Sequence, residues 1–442
     1  MMKRIVMLGV LVGALLGATS PSWAVDLKWG GDYRLRGFYI DNLTDQNKNT
    51  LDSAAYYSSR FLLTLAATED NVSGVVTLAA GTTGVTGNRQ FGATPFGPEG
   101  GIGLVEAYLK ADFKTWGLKG GRAIYKLGNG IILDDAVDGL WANFGLGGTA
   151  LTVATLKLRE VADATEVSIG TGAAGTGTGD DADLYVINAG FGKMAMGPAH
   201  DLNLFLAYLV DRSATLIATS ATNDVTMLIL GASADADMGG LRLKGEFDFM
   251  NGTHKIPGGT DMDITGMNLV VGAKLDAGAM PLGVDVIYTT GLDPAKAATE
   301  HNINGLSGNY PVGIILANTG ARSATYKDGT CLSVGGTTAY TGGAAGCLDG
   351  KGLTALKIST GVVHGPHTVD LAAIYAQSTE DSALGNSDIG IEIDAMLTWA
   401  LTKRLSAMGG IGYLISGDYW KAAATSPTDN MTVLVTQLAY TF

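Results

Sequence analysis

Apolar residues fall at every second position along most of this chain, in repeated runs of roughly ten residues. Leu241, Leu243, Gly245, Phe247 and Phe249 make one face of such a run, and Arg242, Lys244, Glu246 and Asp248 make the other. Side chains two apart share a face only in an extended strand, so the pattern predicts β-structure. The final run behaves the same way. Leu434, Thr436, Leu438, Tyr440 and Phe442 share one face, and Val433, Val435, Gln437, Ala439 and Thr441 share the other. Eighteen strands are expected, over 27–40, 54–67, 72–82, 101–113, 116–127, 136–146, 149–160, 182–192, 200–211, 223–235, 240–250, 263–275, 281–290, 352–362, 367–378, 389–401, 404–416 and 430–442.

The links between them alternate in length. Glu69-Asp70-Asn71, Lys114-Thr115, Gly147-Gly148, His364-Gly365-Pro366 and Thr402-Lys403 are short, whereas 161–181 and 291–351 are long. A strand with one greasy face can meet lipid directly, provided the sheet closes and leaves no backbone group unpaired. The expected fold is therefore all-β: a transmembrane antiparallel β-barrel of 18 strands with short periplasmic turns and long extracellular loops. Both termini would be periplasmic.

Composition supports a membrane address. Mean hydropathy is +0.22, and no apolar run after the N-terminal segment reaches the roughly 20 residues of a membrane helix. Lys3 and Arg4 followed by the apolar stretch Ile5–Leu16 and by Ser22-Trp23-Ala24 read as a cleaved signal peptide over 1–24. The single barrel domain would then occupy 25–442. Removing Lys3 and Arg4 takes the net charge from −13 to −15. An acidic chain of this kind argues against nucleic-acid binding. Cys331 and Cys347, in an exported chain, are expected to form a disulfide.

Four short pieces carry a resemblance: Glu106-Ala107-Tyr108-Leu109, Gly121-Arg122, Gly128-Asn129-Gly130 and Asp138-Gly139. This region resembles the alginate-export type of outer-membrane barrel. The chain as a whole is similar to bacterial outer-membrane porins, including those of iron-reducing bacteria. The resemblance implies a Gram-negative outer membrane, diffusion of small hydrophilic solutes, and Tyr440 and Phe442 as the signal read by the barrel-assembly machinery. Outer-membrane lipid and lipopolysaccharide would surround it, and porin-like barrels are often homotrimers.

A porin acts through the charges at its constriction. On the faces opposite the apolar ones, Arg34, Arg36, Arg60, Lys110, Arg122, Lys126, Lys157 and Arg159 are expected to form a basic pore wall. Asp285, Asp370, Glu392 and Asp394 would form an acidic wall, and Arg242, Lys244, Glu246 and Asp248 a mixed lumenal strand. Arg34, Arg36, Arg60 and Arg122 against Asp285, Glu392 and Asp394 would set a transverse field across the pore; the alternative is that these charges form lumenal salt bridges filling the barrel. The loop 291–351 is too long for a bare connector. Its stretch Tyr310–Leu316 is apolar, and the loop is expected to fold inward or across the mouth and narrow the pore, with packing against a neighbouring protomer as the alternative.

Enzymatic and cofactor chemistry finds no foothold. Gly170-Thr-Gly172-Ala-Ala-Gly175 lacks the flanking strand and helix of a dinucleotide site. No metal or haem-attachment spacing occurs. The leading expectation is a passive, water-filled porin. A polysaccharide or anion export channel and a structural sleeve for extracellular electron-transfer proteins are the alternatives.

Overall fold

The computed structural model describes residues 25–42, 53–80, 89–91, 102–159, 182–192, 200–212, 224–256, 259–278, 280–291, 293–296, 300–302, 306, 312–316, 351–382, 384–421 and 428–442. The signal segment 1–24, Cys331 and Cys347 lie outside them. Strands run in the order β1 Asp26–Asp41, β2 Ala54–Glu69, β3 Val72–Ala80, β4 Arg89–Phe91, β5 Ile102–Asp112, β6 Trp116–Leu127, β7 Leu133–Leu146, β8 Thr149–Arg159, β9 Ala182–Gly192 and β10 His200–Asp211. They continue as β11 Asp224–Asp237, β12 Leu241–Lys255, β13 Met262–Leu275, β14 Leu282–Thr289, β15 Glu300–Asn302, β16 Leu353–His364, β17 His367–Gln377, β18 Asp388–Ala400, β19 Leu405–Ser416 and β20 Met431–Thr441.

Each long strand pairs antiparallel with its neighbours, and β1 pairs with β20 from Asp32↔Thr441 to Asp41↔Thr432. That pairing closes an 18-strand barrel. The short β4 adds to β2, and β15 lies parallel to β13. Closure removes the open edges that would strand backbone donors in lipid.

The alternation reads directly as outside and inside. Leu434, Leu438 and Tyr440 are exposed on the outer surface, while Val433 and Val435 are buried inside. On β12, Leu243, Phe247 and Phe249 face out and Glu246, Asp248 and Met250 face in. A bulge between Thr77 and Leu78 opposes them to Glu106 and Leu104, leaving Val105 as the extra residue. One extra residue flips the phase of a strand, so Leu104 and Leu109 both reach the outer surface of β5. At the seam, Phe442 exchanges backbone hydrogen bonds with Gly31, both 3.1 Å. Its ring stacks on Phe61 and Tyr440 and tilts against Trp29. A β-carbon on Gly31 would lie 2.1 Å from the Leu62 carbonyl oxygen and 2.7 Å from the Phe442 ring, so the glycine makes room for both the β2 backbone and the last residue.

The lumen contains three apolar clusters. In the largest, Leu156, Leu184, Val186, Leu209, Met227 and Ile229 of β8–β11 pack with Ala123, Tyr125, Leu127, Leu133 and Val137 of β6 and β7. Phe205 covers its cross-strand partner Gly231, where a β-carbon would fall 1.9 Å from the ring. The second gathers Ile131, Val312 and Leu316 against inner residues of β13–β18, and the third gathers Ile315 against Phe38, Ile40, Val433 and Val435.

Candidate functional site: the lumen

Two inward segments divide the lumen. The first is the end of the β6–β7 hairpin. Pairing of β5 with β6 stops at Ala107↔Arg122, and pairing of β7 with β8 starts at Asp138↔Lys157. Beyond those points β6 and β7 pair only with each other, from Ala123↔Val137 to Leu127↔Leu133. The hairpin leaves the wall there and bends inside. Gly121, at φ +120°, sits at the bend, where a β-carbon would lie 2.3 Å from the Ala107 carbonyl oxygen. The tip reaches β12: the Asn129 backbone N–H donates to Glu246, and Asn129 Nδ2 donates to the Gly245 carbonyl at 3.3 Å.

The second segment is 312–316. Glu392 Oε1 and Oε2 accept the backbone N–H groups of Ile315 and Leu316 at 2.5 and 2.8 Å. Asp394 Oδ2 accepts that of Ile314 at 3.0 Å, and Lys357 Nζ donates to the Val312 carbonyl at 2.7 Å. Carboxylates that accept backbone amides make strong charge-assisted hydrogen bonds. They satisfy a backbone that has no strand partner inside the barrel.

Below this segment, toward the short turns, lies a cavity of about 580 Å³. Arg242, Lys244 and Lys274 line one flank, and Asp285, Asp370 and Asp394 line the other. Lys244 and Asp285 are paired at 3.0 Å.

The predicted pore charges divide between locations. Arg34, Arg36 and Arg60 are on the inner face of β1 and β2. Arg60 pairs with Asp32 at 3.1 Å, and Arg36 Nε donates to Gln437 Oε1 at 2.7 Å. Lys110 faces inward near the short turns and pairs with Asp112 at 2.6 Å. Asp248 is buried on β12 and accepts a hydrogen bond from Asn268 at 3.2 Å. Arg242 lies 3.7 Å from Asp237 and 3.8 Å from Asp276.

Two of the expected basic-wall residues face the other way. Arg122 pairs with Asp138 at 2.8 Å and Lys157 with Asp183 at 3.2 Å. Arg122 shares a strand face with the exposed Leu118 of β6, and Lys157 with the exposed Val153 of β8, which is the outer surface. Along this stretch the apolar cluster occupies the inner face, with Leu156 and Leu184 turned in, so Lys157 and Asp183 beside them are turned outward. Lys126 lies beyond the bend, on the exposed face of the hairpin. The Arg159 side chain lies outside the described residues. The acidic set also differs from a bare wall: Glu392 is fully buried beneath 312–316. Reading strand faces alone did not reveal the backbone donors that bury it.

The geometry defines a class, an 18-strand antiparallel barrel that matches outer-membrane porin structures. Among solved structures the chain is similar to OpdL of Pseudomonas aeruginosa, with 14% identity, a TM-score of 0.54, and coverage of 94% of this chain and 99% of that one. It is similar to OccK9 (OpdG) of the same organism, with 12% identity, a TM-score of 0.55, and 94% and 98% coverage. OccK2 (OpdF), solved in complex with glucuronate, gives 12% identity, a TM-score of 0.53, and 94% and 96% coverage. No known family profile matches the chain, and no curated protein does. The fold likeness thus runs to OccK and Opd barrels and does not support the alginate-export resemblance of residues 106–139. Those residues instead mark the bend, where Glu106 accepts hydrogen bonds from Thr77 Oγ1 at 3.1 Å and the Ile124 backbone N–H at 3.3 Å.

Proposed function

We propose that this protein is an outer-membrane porin that passes small hydrophilic solutes by passive diffusion, with both termini periplasmic. The observation that carries this reading is the pairing of an apolar outer surface with a charged cavity inside a closed barrel. A lipid-facing exterior and a polar interior are what a diffusion channel requires. The inward hairpin 123–137 and the segment 312–316 form its constriction. Arg34, Arg36 and Arg60 supply a basic inner wall that biases ion passage. Tyr440 and Phe442 serve as the assembly signal, 1–24 as the cleaved leader, and Cys331–Cys347 as a staple of the loop 291–351.

Export of an anionic polymer is disfavoured because it calls for a continuous basic track. Asp32 interrupts that track on β1, and Arg122 and Lys157 lie outside the lumen. The test is planar-bilayer conductance of the purified protein, with reversal potentials in a salt gradient. Stepwise ohmic conductance supports the porin. A barrel that inserts and passes no ions overturns it.

A further inference from the structure

We infer that the cavity under segment 312–316 is a binding subsite for small zwitterions whose opposite charges are several ångströms apart, as in a dipeptide. This rests on the porin reading for how solutes reach it.

The cavity is made by missing side chains. Gly272, Gly283 and Gly361 lie on β13, β14 and β16, consecutive neighbours in the barrel wall, and all three line it. A β-carbon on Gly272 would fall 2.3 Å from Asp285 Oδ1, one on Gly283 2.5 Å from Ser359 Oγ, and one on Gly361 2.8 Å from Asp370 Oδ1. These glycines leave the polar groups beside them open to the lumen.

The charges around this hollow are sorted by strand. Arg242 and Lys274 stand on β12 and β13, Asp370 and Asp394 on β17 and β18. Between the flanks, Lys244 and Asp285 neutralise each other, and Lys357 is engaged by the Val312 carbonyl. Lys274 and Asp370 are both exposed to the cavity, and among the described residues neither has a salt bridge or hydrogen bond. Asp235 adds one further carboxylate beyond the basic flank.

Their separation selects the ligand. β13 and β17 are three inter-strand spacings apart, about 14 Å between backbones. Lysine and aspartate side chains reaching inward shorten that gap to the span of a short extended zwitterion. A carboxylate turned to Lys274 and Arg242 leaves an ammonium for Asp370. A solute with a single charge meets one flank of its own sign, which disfavours it. Ser359 Oγ, between the flanks, offers a hydrogen-bonding hydroxyl to an amide group in the middle of the solute.

The experiment uses three matched probes on single channels of the full-length protein: glycylglycine, N-acetylglycine and glycylglycine amide. Glycylglycine is expected to interrupt the ion current saturably, at concentrations at least ten-fold below those needed by the singly charged pair. Lys274→Met and Asp370→Asn each remove that advantage, and Lys274→Arg retains it. Equal behaviour of the three probes, or interruptions unchanged in both variants, overturns the subsite. Calorimetric titration of the purified barrel with glycylglycine separates this from the porin reading. A non-conducting barrel that still binds the dipeptide, and loses it in Asp370→Asn, keeps the subsite and loses the porin. No binding in a conducting barrel does the reverse.

Discussion

Strands β8–β11 and strands β12–β18 face the same lumen with different materials. The first group presents Leu156, Leu184, Val186, Leu209, Met227 and Ile229, all buried against the bent hairpin. The second presents Arg242, Lys244, Lys274, Asp285, Asp370 and Asp394 around a hollow. Each group holds an inward segment, by a different physics. The hairpin keeps its own ladder and is buried in an apolar cluster, so Glu246 adds one anchor to a structure already held. Segment 312–316 has no such ladder. Its amides are carried by Glu392 and Asp394. The acidic pairs Glu246/Asp248 and Glu392/Asp394 have the same spacing and the same inward direction, yet only the second carries most of the backbone it touches.

The largest test of this contrast is deletion of residues 300–345. It removes the segment held by the charged half and leaves the hairpin in place. Single-channel conductance is expected to rise several-fold, and no rise would end the claim that 312–316 narrows the pore. On the apolar half, Leu184→Ala should cost about 2–5 kcal/mol, because it empties a fully packed site. Denaturant unfolding in lipid reads that loss, and an effect near zero would mean the hairpin is not packed there.

Glu392→Gln comes next. It leaves one carbonyl oxygen to accept a single amide and sets an NH2 donor against the other, a loss of roughly 1–3 kcal/mol, all of it local to the segment. Open-channel current noise should increase while the unfolding midpoint shifts little. Glu246→Gln, by contrast, should barely alter the noise, since the apolar cluster still holds the tip. Equal effects of the two substitutions would erase the distinction. The smallest expected effect is that of Arg34→Ala with Arg60→Ala, a shift of the reversal potential toward cations at low salt. It should shrink as salt screens the wall within about 8–10 Å.

The alternation made the barrel legible strand by strand. Spans such as 182–192 and 200–211 coincide with β9 and β10 as they stand in the fold. The same rule misplaced Arg122 and Lys157, and the cause lies in the lumen. Inferring that charged residues point inward assumes a wet interior. Where the interior is packed, Leu156 and Leu184 take the inner face beneath the hairpin residues Ala123, Tyr125 and Leu127. Leu118, in phase with Arg122, was the available signal for its true direction. The bulge at Val105 adds a second change of phase.

The sequence by itself determined the number of long strands, the lengths of their connections and which face of most strands meets lipid. A period of two is a local property, and lipid imposes it along the whole outer surface. Only the tertiary structure decided where β6 and β7 leave the wall, which carboxylates are covered, and which charges share one hollow. Those outcomes depend on contacts between positions such as Asn129 and Glu246, or Ile315 and Glu392, far apart in the chain. No local pattern encodes them, because a carboxylate on an inward face looks the same in sequence whether it meets water or a backbone amide.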